Sequence, residues 1–285
     1  MAKRSYLFVP ASSEKLMEKA VKSHSDCAIF DLEDAVALSE KENARERAKN
    51  YLINHPADKD VYIRINDMTT PYWRDDVIAA IDAGASGVVV PKSESGIHLK
   101  TICQVIQDRL ESRGEADRKF EVMPLIETAK GVHFAYDIAN AHHYIPRLVF
   151  GYIDYSLDLG CELTEDGEEL IYARSQIVNA SRAAGIGNPV DAVYPDLNNP
   201  DGLNNDAVRA RKIGFKAKLA IHPKQLDIIH EVFTPKQEEL EKAREIVEAF
   251  EAAEKAGTAS IAVQNQLVDY PVYKKAKSLL QLANL

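Results

Sequence analysis

Short apolar runs alternate along the chain with longer segments in which apolar residues recur at helical spacing. Such runs are typical of buried strands when turn-forming residues bound them, and the longer segments are typical of amphipathic helices. Helices are predicted, for example, at residues 14–22 and 71–83, and Gly84 is a typical residue to end the second. The pattern predicts eight strands, at residues 5–10, 27–34, 61–66, 87–92, 120–128, 147–154, 190–194 and 215–222.

The regular alternation predicts an α/β protein, a (β/α)8 TIM barrel of parallel strands, rather than a doubly wound sheet. We assign residues 1–233 of the 285-residue chain to this barrel. Residues 234–285 form a C-terminal extension, predicted as a helix opened by a capping box at 234–237, a short strand at 260–263, a turn and a terminal helix. A second predicted capping box, at residues 39–42, opens a helix between the second and third predicted strands.

Composition narrows the classes of function. A net charge of −9 argues against a nucleic-acid-binding protein, because phosphate contacts need clustered cations, so a small-molecule partner is expected. The apolar segment near the N-terminus is too short for a signal sequence or a membrane span, which predicts a cytoplasmic protein without a membrane partner. Cys27, Cys103 and Cys161 form no Cys-x-x-Cys motif and cannot all pair, which fits a reducing compartment.

Polar residues collect at the C-terminal ends of the predicted strands. In a parallel barrel these ends meet at one rim, which carries the active site in enzymes of this architecture. For any single residue, a solvated loop charge or a helix cap is an equally good interpretation. The set is Glu33, Asp34, Arg64, Asn66, Lys92, Glu127, Asp154, Asp196 and His222.

Two of these acids suggest a metal site. Glu127 and Asp154 each follow an apolar run, on consecutive predicted strands. A carboxylate at the mouth of a buried strand is costly to desolvate unless it meets a cation or several donors. Carboxylate oxygens are the ligands that Mg²⁺ prefers, so the pair predicts a magnesium site at the rim.

Several segments carry a family resemblance in chain order, at residues 4–10 (RSYLFVP), 31–36 (DLEDAV), 64–66 (RIN), 90–92 (VPK), 125–128 (LIET), 150–154 (FGYID) and 221–223 (IHP). Together they resemble the citrate lyase beta subunit and malyl-CoA (citramalyl-CoA) lyase group of the HpcH/HpaI aldolase superfamily. The resemblance covers nearly the whole chain, and residues 173–186 and 193–199 look especially like the citrate lyase beta subunit. Ala11 and the pair Ala37 and Leu38 depart from the family pattern in two loops.

The resemblance implies a Mg²⁺-dependent carbon–carbon lyase. Such an enzyme cleaves a 3-hydroxyacyl-CoA thioester into acetyl-CoA and an oxo acid, so that CoA enters as part of the substrate. The family's metal carboxylates correspond to Glu127 and Asp154. The peptide groups from Gly151 to Asp154 are suited to bind the carboxylate of the oxo acid.

Arg64 is expected to stabilise the enolate that cleavage leaves on the thioester fragment, because a guanidinium is always charged. The alternative is a structural ion pair with Glu33 or Asp34. These two acids are expected to orient metal-bound water, and their alternative role is helix capping. No histidine is assigned to catalysis.

Asp269 is the predicted proton donor to the enolate. Metal binding occupies Glu127 and Asp154, and Arg64 cannot exchange protons, so another acid is needed. The resemblance places Asp269 across a contact between subunits of a homo-oligomer, often a trimer, and implies that the C-terminal extension packs on a neighbouring subunit. The alternative role of Asp269 is the N-cap of the terminal helix. The surrounding residues 265–271 (NQLVDYP) match the family pattern Gly-Lys-Met-Ile-Asp-x-Pro only loosely.

Three functions remain open. The favoured one is a free-standing lyase acting on a malyl-CoA or citramalyl-CoA type of substrate. The second is a citrate lyase beta subunit acting on a citryl thioester that an acyl-carrier partner holds. The third is a non-catalytic barrel scaffold. Five basic residues near the first strands are candidates for contacts with CoA phosphates, although solvated surface roles suit them equally: Lys3, Arg4, Lys15, Lys41 and Arg45.

Overall fold

Eight parallel strands close into a barrel in the computed structural model, which describes residues 3–283. Neighbouring strands follow each other in chain order, and the last pairs with the first. The predicted TIM barrel is therefore confirmed. The strands are β1 Ser5–Pro10, β2 Cys27–Asp31, β3 Asp60–Arg64, β4 Gly87–Val90, β5 Glu121–Ile126, β6 Val149–Phe150, β7 Val190–Asp191 and β8 Ala217–Ala220.

Helices surround the barrel and continue beyond it. They are α1 Glu14–Lys22, α2 Lys41–Asn54, α3 Trp73–Asp82, α4 Gly96–Ser112, α5 Ala129–His133, α6 Ala135–Ala139, α7 Tyr152–Leu159, α8 Ile171–Ala183, α9 Pro200–Ile213, α10 Leu226–Phe233, α11 Gln237–Lys255 and α12 Tyr270–Ala283. Short 3-10 turns at Leu38–Glu40, Glu168–Leu170 and Pro223–Gln225 lead into α2, α8 and α10.

Alternate residues of the strands fill the barrel interior. Its core joins side chains from every strand, among them Tyr6, Ile29, Tyr62, Met123 and Leu219. The residues between them point outward to the helices and are also buried, which explains why the strands appear in the sequence as nearly continuous apolar runs.

Two buried cations and two buried anions form a network between the barrel wall and the helices outside it. Arg174 on α8 donates to Asp191 on β7 (2.9 Å) and to Asp206 on α9 (2.8 Å). Lys218 on β8 donates to both carboxylates, at 2.5 and 2.6 Å. Because every buried charge faces an opposite one, the network connects four elements without leaving an uncompensated charge.

Several predicted boundaries are wrong. The strands β6 and β7 are shorter than predicted, because the apolar run continues from β6 into α7 and from β7 into a loop. Neither predicted capping box forms as proposed, since Leu38–Glu40 makes a 3-10 turn, and α11 begins after Lys236, whose backbone N–H donates to Oε2 of Glu239 at 2.8 Å.

The chain divides into two compact units. The first, Arg4–His230, contains the barrel, and the second runs from Glu231 onward together with Lys3. In the second unit α11, α12 and a hairpin share a core that includes Ile246, Phe250 and Val268. The hairpin pairs β9 (Ile261–Val263) with β10 (Gln266–Val268), a strand that the sequence did not predict. Within residues 3–283, no helix is both long and apolar enough to cross a membrane.

Candidate active site

Arg64 is clamped by an acid on the neighbouring strand. Asp31 and Arg64 are partners in the register of β2 and β3, and both stand at the C-terminal ends of those strands. The guanidinium donates to both carboxylate oxygens, with Nε 2.7 Å from Oδ1 and Nη2 2.6 Å from Oδ2. Burial alone would lower the pKa of Arg64, but Asp31 and Glu33 outweigh burial and raise it. Arg64 is therefore a fixed, permanent cation at the rim.

Glu33 lies between two cations. Its Oε2 is 2.9 Å from Nη1 of Arg64, and its Oε1 accepts from Nζ of Lys92 at 2.7 Å. Burial raises the pKa of Glu33, although Arg64 and Lys92 oppose the shift. The ion pair between Arg64 and Glu33, given above as the alternative role of Arg64, is thus present, and Asp31, which the sequence interpretation did not single out, is the stronger partner of Arg64.

Glu127 follows β5 and is almost completely buried, with 3% of its surface exposed. Its Oε1 accepts a hydrogen bond from the backbone N–H of Lys92 at 2.8 Å. Burial, together with the negative charges of Glu33 and Asp154, raises the pKa of Glu127 to about 8, against the opposing effects of the Lys92 N–H and Arg64. A nearby cation would favour the ionised form of such a buried acid, which would then release its proton to solvent.

Gly151 allows α7 to begin directly against Glu127. A Cβ atom at Gly151 would lie 2.8 Å from Oε2 of Glu127 and 2.9 Å from its Cβ, closer than real contacts allow. Gly151 is the N-cap of α7, and Asp154 stands in the first turn of this helix. Asp154 is therefore not at a strand end, as predicted, but one helical turn beyond it, because β6 ends at Phe150.

The first turn of α7 also supplies donors. The N–H groups of residues 152–154 have no acceptor within the helix, since the first turn of any helix lacks preceding carbonyls. Gly151 itself donates to the carbonyl of Ile126 at 3.0 Å, which ties the helix start to β5. The predicted anion-binding stretch is thus a helix N-terminus, where negative groups are favoured.

Glu127 and Asp154 fit a hard divalent cation. No group of three or more His, Cys, Asp or Glu side chains among the described residues is arranged to hold a metal. Two carboxylates with open positions for water and substrate are nevertheless the arrangement expected for Mg²⁺. The raised pKa of Glu127 and the absence of a side chain at Gly151 agree with a cation placed against these oxygens.

Two cavities open at the same rim. One, of about 690 Å³, is lined by Glu33, Asn66, Lys92 and other polar residues at the ends of β2 to β4. The other, of about 430 Å³, is lined by Arg64 and by apolar side chains that include Phe8. The guanidinium carbon of Arg64 lies 5.0 Å from the centre of the Phe8 ring. Glu33 thus lines one cavity and its partner Arg64 lines the other, while Asp34 lines both.

Asp34 and His222, two other residues of the predicted rim, make weaker or only local contacts. Asp34 has a side chain that is 58% exposed and lies 3.8 Å from Nη1 of Arg64. The capping alternative is absent for Glu33 and Asp34, because the following turn is capped at Ala37 without a side-chain hydrogen bond. His222 accepts from the backbone of Lys224, which is a local cap.

Three of the five residues proposed to contact CoA phosphates bind other groups of the protein instead. Lys41 is buried and donates to the carbonyls of Leu32 and Glu33. Arg45 pairs with the buried Asp76, and Arg4 with Asp26. These contacts favour structural roles for the three residues.

Asp269 precedes α12 in the second unit. Its Oδ1 accepts from the backbone N–H of Val272 at 3.2 Å, so within one chain it caps this helix. The capping alternative is therefore present, and a catalytic role would have to be added to it.

Comparison with known proteins identifies the relatives of this chain. The model of the HpcH/HpaI aldolase/citrate lyase family matches residues 4–223. Citrate lyase subunit beta of Escherichia coli K12 is 33% identical over 285 residues, which cover 99% of this chain and 94% of that protein. A (3S)-malyl-CoA thioesterase of Cereibacter sphaeroides (strain ATCC 17025) is 34% identical over 267 residues, covering 93% and 89%.

A solved structure agrees with these matches. The protein CitE from Mycobacterium tuberculosis, in complex with magnesium, acetoacetate and coenzyme A, has a TM-score of 0.80 and 29% identity, covering 100% of this chain and 99% of that one. The predicted resemblance and the predicted enzyme class are confirmed. The chain belongs to the HpcH/HpaI aldolase/citrate lyase family and is a carbon–carbon lyase.

Proposed function

We propose that the chain is a Mg²⁺-dependent lyase that cleaves a 3-hydroxyacyl-CoA thioester, of the malyl-CoA or citramalyl-CoA type, into acetyl-CoA and an oxo acid. The observation that carries this proposal is the buried Glu127 carboxyl, which meets the start of α7 at Gly151 and shares the barrel rim with Arg64. Relatives that act on or bind CoA compounds support the choice of thioester.

Glu127 and Asp154 would hold Mg²⁺, and Glu33 and Asp34 would orient water around it. The ion would act there as a Lewis acid toward the substrate and so favour formation of the new carbonyl. The N–H groups at the start of α7 suit the carboxylate of the oxo acid, because a helix N-terminus attracts anions.

Cleavage breaks the bond between the hydroxyl-bearing carbon and the carbon next to the thioester. The hydroxyl group gives up its proton to solvent water and becomes the carbonyl of the oxo acid, and the electron pair of the broken bond forms a thioester enolate. Arg64 lines the 430 Å³ cavity with its cation held in place by Asp31, so it is suited to stabilise the enolate oxygen. Protonation of the enolate carbon then gives the acetyl thioester.

Asp269 of a neighbouring subunit is the proposed proton donor, and the functional form is then a homo-oligomer. Arg64 keeps its protons, and Glu127 and Asp154 are committed to the metal. Asp269 stands outside the barrel unit, ahead of α12, so the proposal requires a second copy of the chain to present it to the rim.

A second candidate is a citrate lyase beta subunit that acts on a citryl thioester carried by an acyl-carrier protein. The identity of 33% to the Escherichia coli subunit favours it. The two candidates differ in the carrier of the acyl group, because a dedicated subunit should show little activity on CoA esters.

The test is a substrate panel with the purified chain. Malyl-CoA, citramalyl-CoA, citryl-CoA and citryl-acyl-carrier protein are each incubated with Mg²⁺, and the oxo acid, acetyl thioester and free thiol are quantified. We expect glyoxylate or pyruvate to appear in equal amounts with acetyl-CoA. Cleavage of the carrier-bound substrate alone would support the second candidate, and free CoA with an intact hydroxy acid would indicate thioester hydrolysis.

A further inference from the structure

Lys92 has a backbone conformation that is unusual for its residue type. Its φ is +45°, in the left-handed region that side chains with a Cβ rarely adopt. Among residues 3–283, the other non-glycine residues with positive φ are Gln264 and Asn265, which form the turn of the β9–β10 hairpin. Lys92 lies instead at the end of β4, on the rim of the barrel.

Neighbouring contacts hold the chain in this conformation. The N–H of Ser93 donates to the carbonyl of Leu125 at 3.1 Å, and its hydroxyl donates to the carbonyl of Val90 at 2.9 Å. A Cβ at Gly131 would lie 2.7 Å from the carbonyl of Ser93, so the turn is also closely packed from outside. Strained residues that their surroundings fix in this way cluster at functional sites.

Lys92 donates hydrogen bonds to two different acids, one from its backbone and one from its side chain. Its backbone N–H, aimed by the left-handed conformation, holds Oε1 of Glu127 at 2.8 Å. Its ammonium group holds Oε1 of Glu33 at 2.7 Å, and the other oxygen of Glu33 faces Arg64 at 2.9 Å. One residue therefore connects the metal carboxylate to the acid that flanks Arg64.

We propose that Lys92 is a positioning residue that acts twice: its main chain orients Glu127 toward the metal, and its side chain holds Glu33 and thereby the guanidinium of Arg64. The assignment rests on the proposed function for its effect on turnover. Its effect on metal binding is independent of the substrate.

The main-chain role and the side-chain role of Lys92 predict opposite changes in metal affinity when each is removed. Lys92→Met removes a positive charge beside a group of acids but keeps the N–H, so Mn²⁺ should bind about two- to fivefold more tightly by the loss of Coulomb repulsion. An ester in place of the peptide bond between Pro91 and Lys92, introduced as the α-hydroxy analogue of lysine, removes the N–H but keeps the ammonium. Mn²⁺ should then bind about tenfold more weakly, because a charge-assisted hydrogen bond that orients Glu127 is lost.

Turnover adds a second readout. We expect Lys92→Met to lower kcat at least about tenfold with a much smaller change in KM, since Glu33 is no longer held beside Nη1 of Arg64, although Asp31 still binds Nε and Nη2. Lys92→Arg restores a cation and should recover part of kcat. Lys130→Met is the matched control, because Lys130 pairs with Glu94 and is 57% exposed. It should leave the Mn²⁺ dissociation constant within about twofold of wild type.

The experiment measures Mn²⁺ binding by electron paramagnetic resonance, together with kcat, KM and the urea unfolding midpoint. The proposal would be overturned if Mn²⁺ affinity, kcat and the urea midpoint all fell together in Lys92→Met and none of them recovered in Lys92→Arg. That result would show a purely structural role for Lys92. Wild-type Mn²⁺ affinity in the ester variant would overturn the main-chain half. If the wild type cleaves no thioester, the proposed function fails, while the Mn²⁺ constants still decide the assignment of Lys92.

Discussion

Replacing Glu127 by glutamine should change how the stability of the metal-free protein depends on pH. Glutamine resembles the protonated carboxyl group in shape and is neutral at every pH. The side chain of Glu127 is buried, and its pKa rises from 4.5 to about 8 in the folded protein. In the unfolded chain the same group titrates near its ordinary value, so folding and proton binding are linked.

The sign follows from the raised pKa. Below pH 4.5 Glu127 is protonated in both states, so wild type and Glu127→Gln should be similar in stability. As the pH rises toward 8, ionisation of Glu127 lowers the free energy of the unfolded wild-type chain. The folded chain, in which Glu127 stays protonated, is not stabilised in this way. With 1.36 kcal/mol for each pKa unit, wild type should be less stable than the variant by about 2 kcal/mol at pH 6 and about 4 kcal/mol at pH 8.

Urea unfolding in EDTA at pH 5, 6, 7 and 8 measures this difference, and pH 5, where it should be below about 1 kcal/mol, is the reference point. Added Mg²⁺ should stabilise wild type above pH 7 by RT ln(1 + [Mg²⁺]/Kd) and should have little effect on Glu127→Gln. A stability difference that stays constant from pH 5 to pH 8 would show that Glu127 does not titrate as a buried, unpaired acid, and the argument for a cation beside it would fall.

Three further predictions concern other residues with proposed roles. Gly151→Ala should destabilise the protein by about 1–3 kcal/mol and weaken Mn²⁺ binding, because its Cβ would press on Glu127; unchanged urea unfolding and Mn²⁺ titrations would contradict the close approach. Arg64→Lys should lower kcat by about 2–4 kcal/mol of activation free energy in steady-state kinetics, and a raised KM with unchanged kcat would indicate substrate anchoring instead. Asp269→Asn should be inactive, and mixing it with inactive Glu127→Ala under subunit exchange should restore part of the activity. No recovery, with exchange shown independently, would exclude donation from a neighbouring subunit.

The barrel could be predicted from the sequence because parallel strands buried on both faces leave continuous apolar runs. The predicted β1 agrees with Ser5–Pro10 at both ends. The end of β6 could not be located, because the apolar pattern continues from Val149 through Ile153 while the backbone turns into a helix at Gly151. The strand β10 was missed because three residues, two of them exposed, carry too little pattern.

Several members of the candidate site could be singled out from the sequence, but Asp31 and the contacts between the members could not. Glu127 and Arg64 stood out as polar residues at the ends of apolar runs. The pairing of Asp31 with Arg64 depends on the register of β2 and β3, and the signal that could have found it was that both residues end neighbouring strands. The link from Lys92 to Glu127 depends on a left-handed backbone conformation at a residue that is not glycine, which leaves no signal in the residue type.

The most direct test of the account is the product balance of thioester cleavage as a function of Mg²⁺. Wild type and Glu127→Gln are incubated with malyl-CoA and citramalyl-CoA across a magnesium titration, and the oxo acid, acetyl-CoA and free thiol are measured in each sample. We predict one oxo acid for each acetyl-CoA in wild type, saturation with Mg²⁺, and loss of both products in Glu127→Gln. Equal cleavage by the two proteins at every magnesium concentration would contradict the assignment of Glu127 and the metal-dependent mechanism built on it.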